Sequence, residues 1–172
     1  MEIAAAFTPT GNYSLTQIDV AILFIGPPDT NGFTLSLNQD SGSDAPGTAI
    51  ATLTGLFAPN YQLGTSSLVD TDSPSSNVVL QTGVQYWIVA SPAASNTYDG
   101  WSLNAINGTG PAGVWEQNAG SGWVPGGSSA SDLAFDVQGS LQDPADTPEP
   151  GTFMLIPSAL IGLSLIRKLR RS

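Results

Sequence analysis

The 172-residue chain has no cysteine and no histidine, and no lysine or arginine before Arg167. Each absence excludes chemistry. Without cysteine there is no disulfide framework and no thiolate ligand for zinc or an iron–sulfur cluster. Without histidine the commonest general base and metal ligand is gone, so neither a Ser-His-Asp nor a Cys-His arrangement can be assembled. Without body cations, residues 1–150 hold all fourteen acids and nothing to pair them. Such a body repels nucleic acid, because binding to phosphates requires cations. Its carboxylates must be solvated, cap turns, or bind an external cation such as Ca²⁺. Enzyme chemistry is not expected. A carboxylate pair of the glycosidase kind needs no histidine, but Glu116 is the one glutamate away from the ends of the acidic body and has no evident partner.

What is present is concentrated at the C-terminus. Pro148-Glu149-Pro150 is followed by Gly151–Ile166, sixteen residues without a charge, and then by Arg167, Lys168, Arg170 and Arg171. As a helix the apolar run would be roughly 24 Å long at 1.5 Å per residue. That is short of a hydrocarbon core of roughly 30 Å. Pro157 inside it would kink the helix, which membrane helices tolerate better than soluble ones. Its large apolar residues fall on nearly all sides rather than on one stripe. This favours a membrane over an amphipathic helix packed on the body. Basic residues directly after an apolar run tend to stay cytoplasmic, which puts the body on the far side.

Triplet, apolar run and basic cluster, in that order at a C-terminus, resemble a PEP-CTERM sorting signal. Such tails occur on exported proteins of Gram-negative bacteria that make exopolysaccharide. The resemblance covers about the last 26 residues. It implies an exosortase-type processing enzyme as partner, recognising Pro148, Glu149 and Pro150, with residues 151–166 held in the membrane and Arg167, Lys168, Arg170 and Arg171 fixing orientation. Read as a bare physical object, the triplet is a stiff linker. The start MEIAAAFTPTG has neither a basic n-region nor an apolar h-region. Ala4-Ala5-Ala6 suits the small-residue end of a cleavage site, with Phe7 as first mature residue. An export leader is therefore expected upstream.

Between residues 7 and 140 no helical period is sustained. Alternation is found instead. Phe33, Leu35 and Leu37 share one face of GFTLSLNQD, and Leu133, Phe135 and Val137 share one face of DLAFDVQG. Ile18, Val20, Ile22 and Phe24 form the inner row of SLTQIDVAILFIG. Period-2 alternation is the signature of half-buried strands. TAIATLTGL, NVVLQTG, VQYWIVASP, GWSLNAI and GVWEQNA are further candidates. Clusters such as DSGSDAPG, DTDSPSSN and SPAASNTYDG between them read as turns. The fold class is therefore all-β, an antiparallel, jelly-roll-like β-sandwich over residues 1–140. A Pro-rich linker follows at 141–150, then a hydrophobic helix at 151–166 and a basic tail at 167–172.

GNYSLTQIDVAI, TLSLNQDSGSDAPGTAIATL, GVQYWIVAS and the late AFDVQG give the body a looser similarity to choice-of-anchor domains. These are exported bacterial modules joined to interchangeable C-terminal anchors. The resemblance implies a β-sandwich outside the cell, at the surface or in an exopolysaccharide matrix, and no activity.

Candidate contact residues are few. Trp115 and Trp123 flank EQNAGSG, read as a hairpin, and exposed indoles there would stack on sugar faces. That gives a carbohydrate-binding alternative. Core filling is the competing role, and the expected one for Trp87 and Trp101. Tyr86 and Trp87 are adjacent in a strand, so one is expected to face inward and the other outward. Asp40 and Asp44, and Asp70 and Asp72, lie in short acidic loops that are candidates for Ca²⁺, although neither loop has EF-hand order. Otherwise they are turn formers. A third alternative is a permanently anchored single-pass protein whose tail is never processed.

Overall fold

The computed structural model describes residues 1–26, 30–60, 78–102, 115–125 and 133–142. The chain divides into two compact units, Met1–Leu141 and Gln142–Ser172. Of the second, only Gln142 is described, so the triplet, the apolar run and the basic cluster lie outside the described residues. Among the described residues no helix is long and apolar enough to cross a membrane.

Every regular element described is a strand. They are β1 (Glu2–Phe7), β2 (Tyr13–Val20), β3 (Ile22–Phe24), β4 (Gly32–Asp40), β5 (Pro46–Phe57), β6 (Val79–Leu80), β7 (Tyr86–Pro92), β8 (Asp99–Trp101), β9 (Trp115–Asn118), β10 (Trp123–Pro125) and β11 (Phe135–Leu141). A six-stranded sheet runs β10-β9-β1-β7-β4-β5, a three-stranded sheet β11-β2-β6, and a two-stranded ribbon β3-β8. All pairings within these sheets are antiparallel.

One core cluster draws on all three sheets. Ala5, Phe33, Leu35, Leu37, Tyr86 and Ile88 come from the six-stranded sheet. Leu15, Ile18, Val20 and Leu80 come from the three-stranded sheet, and Ile22 and Trp101 from the ribbon. The alternation read in β4 and in Ile18, Val20 and Ile22 is therefore the core pattern itself. Leu15 belongs to the same core although it is three residues from Ile18. A register irregularity at Gln138/Gly139, where Gly139 pairs with Leu15 and Gln138 with Gln17, absorbs the change of phase.

Two boundaries differ from the sequence reading. The long apolar window at 14–26 is two strands. Ala21 leaves the ladder between them, its N–H donating to the Ala134 carbonyl, and β3 then pairs with β8 instead of β11. At the start of the chain, Glu2–Phe7 forms an interior strand between β9 and β7. Ala4 and Ala5 are buried there, within the packed sheet. Alanine has little intrinsic preference for strands. Here its size is what the sheet requires, because Ala6 pairs with Trp87, Ala5 with Ile88 and Ala4 with Val89.

Edges are blunted at both ends of the large sheet. β10 is three residues long and ends at Pro125, while β5 is broken by register irregularities against β4. Short, Pro-terminated or bulged edges resist pairing with other chains.

Candidate functional site

The large sheet has a second buried face. Ala4, Trp87 and Val89 form a separate cluster there, with Ala6 and Trp123 packed on it. Tyr86 is 4% exposed in the main core and Trp87 is 0% exposed on the opposite face. The expectation that one of the pair faces outward is corrected, because the sheet is covered on both sides at this point. Tyr86 stacks on Phe7 at 5.8 Å, and its hydroxyl accepts the Gln81 N–H.

Asp40 ends β4 and holds this region together. Its Oδ1 accepts the Trp87 indole N–H at 2.9 Å and the Gln85 amide at 3.3 Å; Oδ2 accepts the Gly42 N–H at 2.7 Å. The indole hydrogen bond, with smaller help from Gly42 and Gln85, holds the Asp40 carboxyl below its ordinary value. Asp44 lies in the same β4–β5 turn with φ of 52°, a left-handed conformation that aspartate tolerates. Asp40, one of the Ca²⁺ candidates, thus serves as acceptor for a buried indole and for its own turn. Among the described residues no group of three or more His, Cys, Asp or Glu is placed to hold a metal. Asp70 and Asp72 lie outside the described residues.

β9 and β10 form the hairpin read around EQNAGSG. Asn118 fixes its turn, with Oδ1 accepting the N–H groups of Gly120 and Gly122. Its amide donates to Glu2, which also accepts the Ser91 hydroxyl. Trp123 pairs with Asn118, and Trp115 pairs with Ala5 three positions along β9. The two tryptophans are therefore not cross-strand neighbours. Trp123 is half-buried against Ala4, Trp87 and Val89. The Trp115 side chain lies outside the described set. Trp101 is a core residue, as expected, and its indole N–H donates to the Ala134 carbonyl.

The most unusual polar group was not singled out from the sequence. Asp99 opens β8, where the pleat puts it on the same side as Trp101. Both carboxylate oxygens are buried and neither has a hydrogen-bond partner. It lines a cavity of about 280 Å³ where the beginnings of β1 and β4 and the end of β7 meet the β3–β8 ribbon. Ile3, Ile22, Phe33, Ala90, Pro92 and Trp101 form apolar wall, and Ser91 and Thr97 add hydroxyls. Met1 and Tyr98, 66% and 54% exposed, also line it. Burial pushes the Asp99 carboxyl up to about 6 from its ordinary 3.8.

The surrounding backbone is well tied. The Ile25 N–H donates to the Tyr98 carbonyl, and Tyr98 N–H to Thr30. The Thr97 hydroxyl donates to the Gly32 carbonyl. Asp99 thus sits in a fixed frame and its isolation is not a matter of a loose loop. From the sequence it belongs to the turn cluster SPAASNTYDG, where aspartate is ordinary. The signal that marks it is its i, i+2 spacing to a core tryptophan.

No protein-family model matches this chain, and no curated protein matches it.

Proposed function

We propose that the chain is an exported, non-catalytic module of the cell surface or exopolysaccharide matrix, whose β-sandwich body is addressed by a PEP-CTERM-like tail. The observation that carries this reading is the complete segregation of charge. All fourteen acids precede Gly151 and all four cations follow Ile166, with an uncharged run between. A body with no cation and a terminus with no acid suit two different environments. Pro148, Glu149 and Pro150 are the recognition element for an exosortase-type enzyme. Residues 151–166 hold the chain in the membrane, and Arg167, Lys168, Arg170 and Arg171 keep the end cytoplasmic. A core drawn from one face of the six-stranded sheet and from both smaller sheets supports the sandwich, with jelly-roll-like topology as the finer expectation.

The test is the intact mass of the protein isolated from its native host. Loss of about the last 22–26 residues is expected, as in other processed hydrophobic tails. A full-length mass in the membrane fraction would refute processing and leave a permanent single-pass anchor.

A carbohydrate-contact role is favoured by one further observation. Trp123 keeps part of its ring accessible beside the exposed Val124 on a sheet edge. Quenching of tryptophan fluorescence by soluble polysaccharide, lost in Trp123→Ala, is the expected result. Quenching unchanged by that substitution would rule Trp123 out.

A further inference from the structure

A buried carboxylate without a donor is costly, because desolvating its charge is repaid only by a partner. Asp99 has none, and no side chain of the body carries a cation to offer it. Residues 1–166 contain no Lys, Arg or His. The cavity beside it is otherwise mainly apolar, and its volume lies just under the roughly 300–1,000 Å³ of usual ligand pockets. These facts select among ligands. A hard divalent cation needs six or more oxygens, and one carboxylate with two hydroxyls cannot supply them. An anion is repelled by Asp99 and by the acidic body. A sugar needs many convergent polar groups, which the walls lack. A compact organic cation satisfies both halves of the site, with charge for the carboxylate and carbon for the walls. Aromatic faces add to the attraction.

We propose that this cavity binds a small protonated amine with an apolar body, its ammonium donating to the Asp99 carboxylate and its carbon skeleton lying on Ile3, Ile22, Phe33 and Trp101. The carboxylate must be ionised for this, so the site is pH-dependent. Three other titratable groups lie at or near it. Tyr98 and the α-amino group of Met1 belong to residues that line the cavity. Glu2, on β1, is bonded to Ser91 and Asn118.

The experiment is titration of the full chain with phenethylammonium, read by calorimetry and by tryptophan fluorescence. Phenethyl alcohol is the neutral counterpart and phenylpropionate the anionic one. One equivalent of phenethylammonium is expected to bind at pH 7.5, at least tenfold more tightly than phenethyl alcohol, with phenylpropionate undetectable. At pH 5 only about one Asp99 carboxyl in ten is ionised, so the apparent affinity should fall about tenfold, as it does for any fractionally competent state. Asp99→Asn should abolish the preference for the ammonium while retaining weak phenethyl alcohol binding, which reports an intact cavity. Equal binding of ammonium and alcohol, or an ammonium preference that survives Asp99→Asn, would overturn the proposal. So would no binding of any probe at 10 mM. Should Asp99→Asn fail to fold, the ammonium–alcohol difference at the two pH values decides alone.

Discussion

Asp99 should make the body less stable at neutral pH than at pH 4, in isolation from every other carboxylate. Its folded-state value is raised above the unfolded one, the reverse of the usual situation for an aspartate. Between the two values the native state holds the proton more often than the unfolded chain does. Stability therefore falls as pH rises through that window. The penalty is absent below about 3.8 and complete above about 6. At about 1.4 kcal/mol per pH unit the ceiling is about 3 kcal/mol. Asp99 as a residue is only partly buried, and solvent screening reduces this to about 1–2 kcal/mol. The assay is urea unfolding of wild type and Asp99→Asn from pH 3.5 to 7.5, in phosphate, acetate and citrate rather than amine buffers. The absolute offset between the two proteins is uninformative, since a buried amide without partners has its own cost. Its change with pH is the measurement. The variant should gain about 1–2 kcal/mol on wild type between pH 4 and pH 7, because the other acids titrate alike in both. A flat difference, or one of opposite sign, would mean that the Asp99 oxygens are solvated, and the reasoning about the cavity would fail with it.

Asp40→Ala leaves the fully buried Trp87 indole N–H without an acceptor and should cost about 1–3 kcal/mol in denaturant unfolding at pH 7. Because the Asp40 carboxyl is held below its ordinary 3.8, its contribution is complete above that value and is lost as pH falls below it. The gap between wild type and Asp40→Ala should therefore narrow below pH 3.8, and a constant gap would refute the role. Gly139→Ala puts a Cβ 2.9 Å from the Ser14 carbonyl oxygen, so the strand must shift, at about 1–3 kcal/mol. Gly26→Ala meets nothing within 4 Å and should be near neutral, and equal thermal shifts for the two would contradict the packing at the β2–β11 irregularity.

Strands with strict alternation were legible because one face of each enters the core. β4 is the clearest case, with Phe33, Leu35 and Leu37 all buried. β1 was illegible for a physical reason. Its alanines are buried on both faces, so no alternation exists to detect. What they accommodate is Trp87 and Val89, more than eighty residues away, and local sequence contains no trace of that match. The Tyr86–Trp87 pair failed in the same way. Alternation says that two neighbours face opposite sides, but not that both sides are dry.

The site was hidden by a different circumstance. An aspartate in a run of Ser, Asn and Gly reads as a turn former, and Asp40 shows that the rule is often right, since it does cap its own turn. Asp99 departs from it because β8 begins there and pairs with β3, turning the carboxyl toward the side of Trp101. The global charge pattern then gives that placement its meaning. In an ordinary protein a buried aspartate is met by an Arg or Lys from elsewhere in the chain. Here the composition removes that possibility for every side chain of the body, and in the proposal above the carboxylate is answered by a cation brought from outside. The absence of body cations, which in the sequence argued only against nucleic acid and catalysis, becomes in the structure an argument about what the cavity selects.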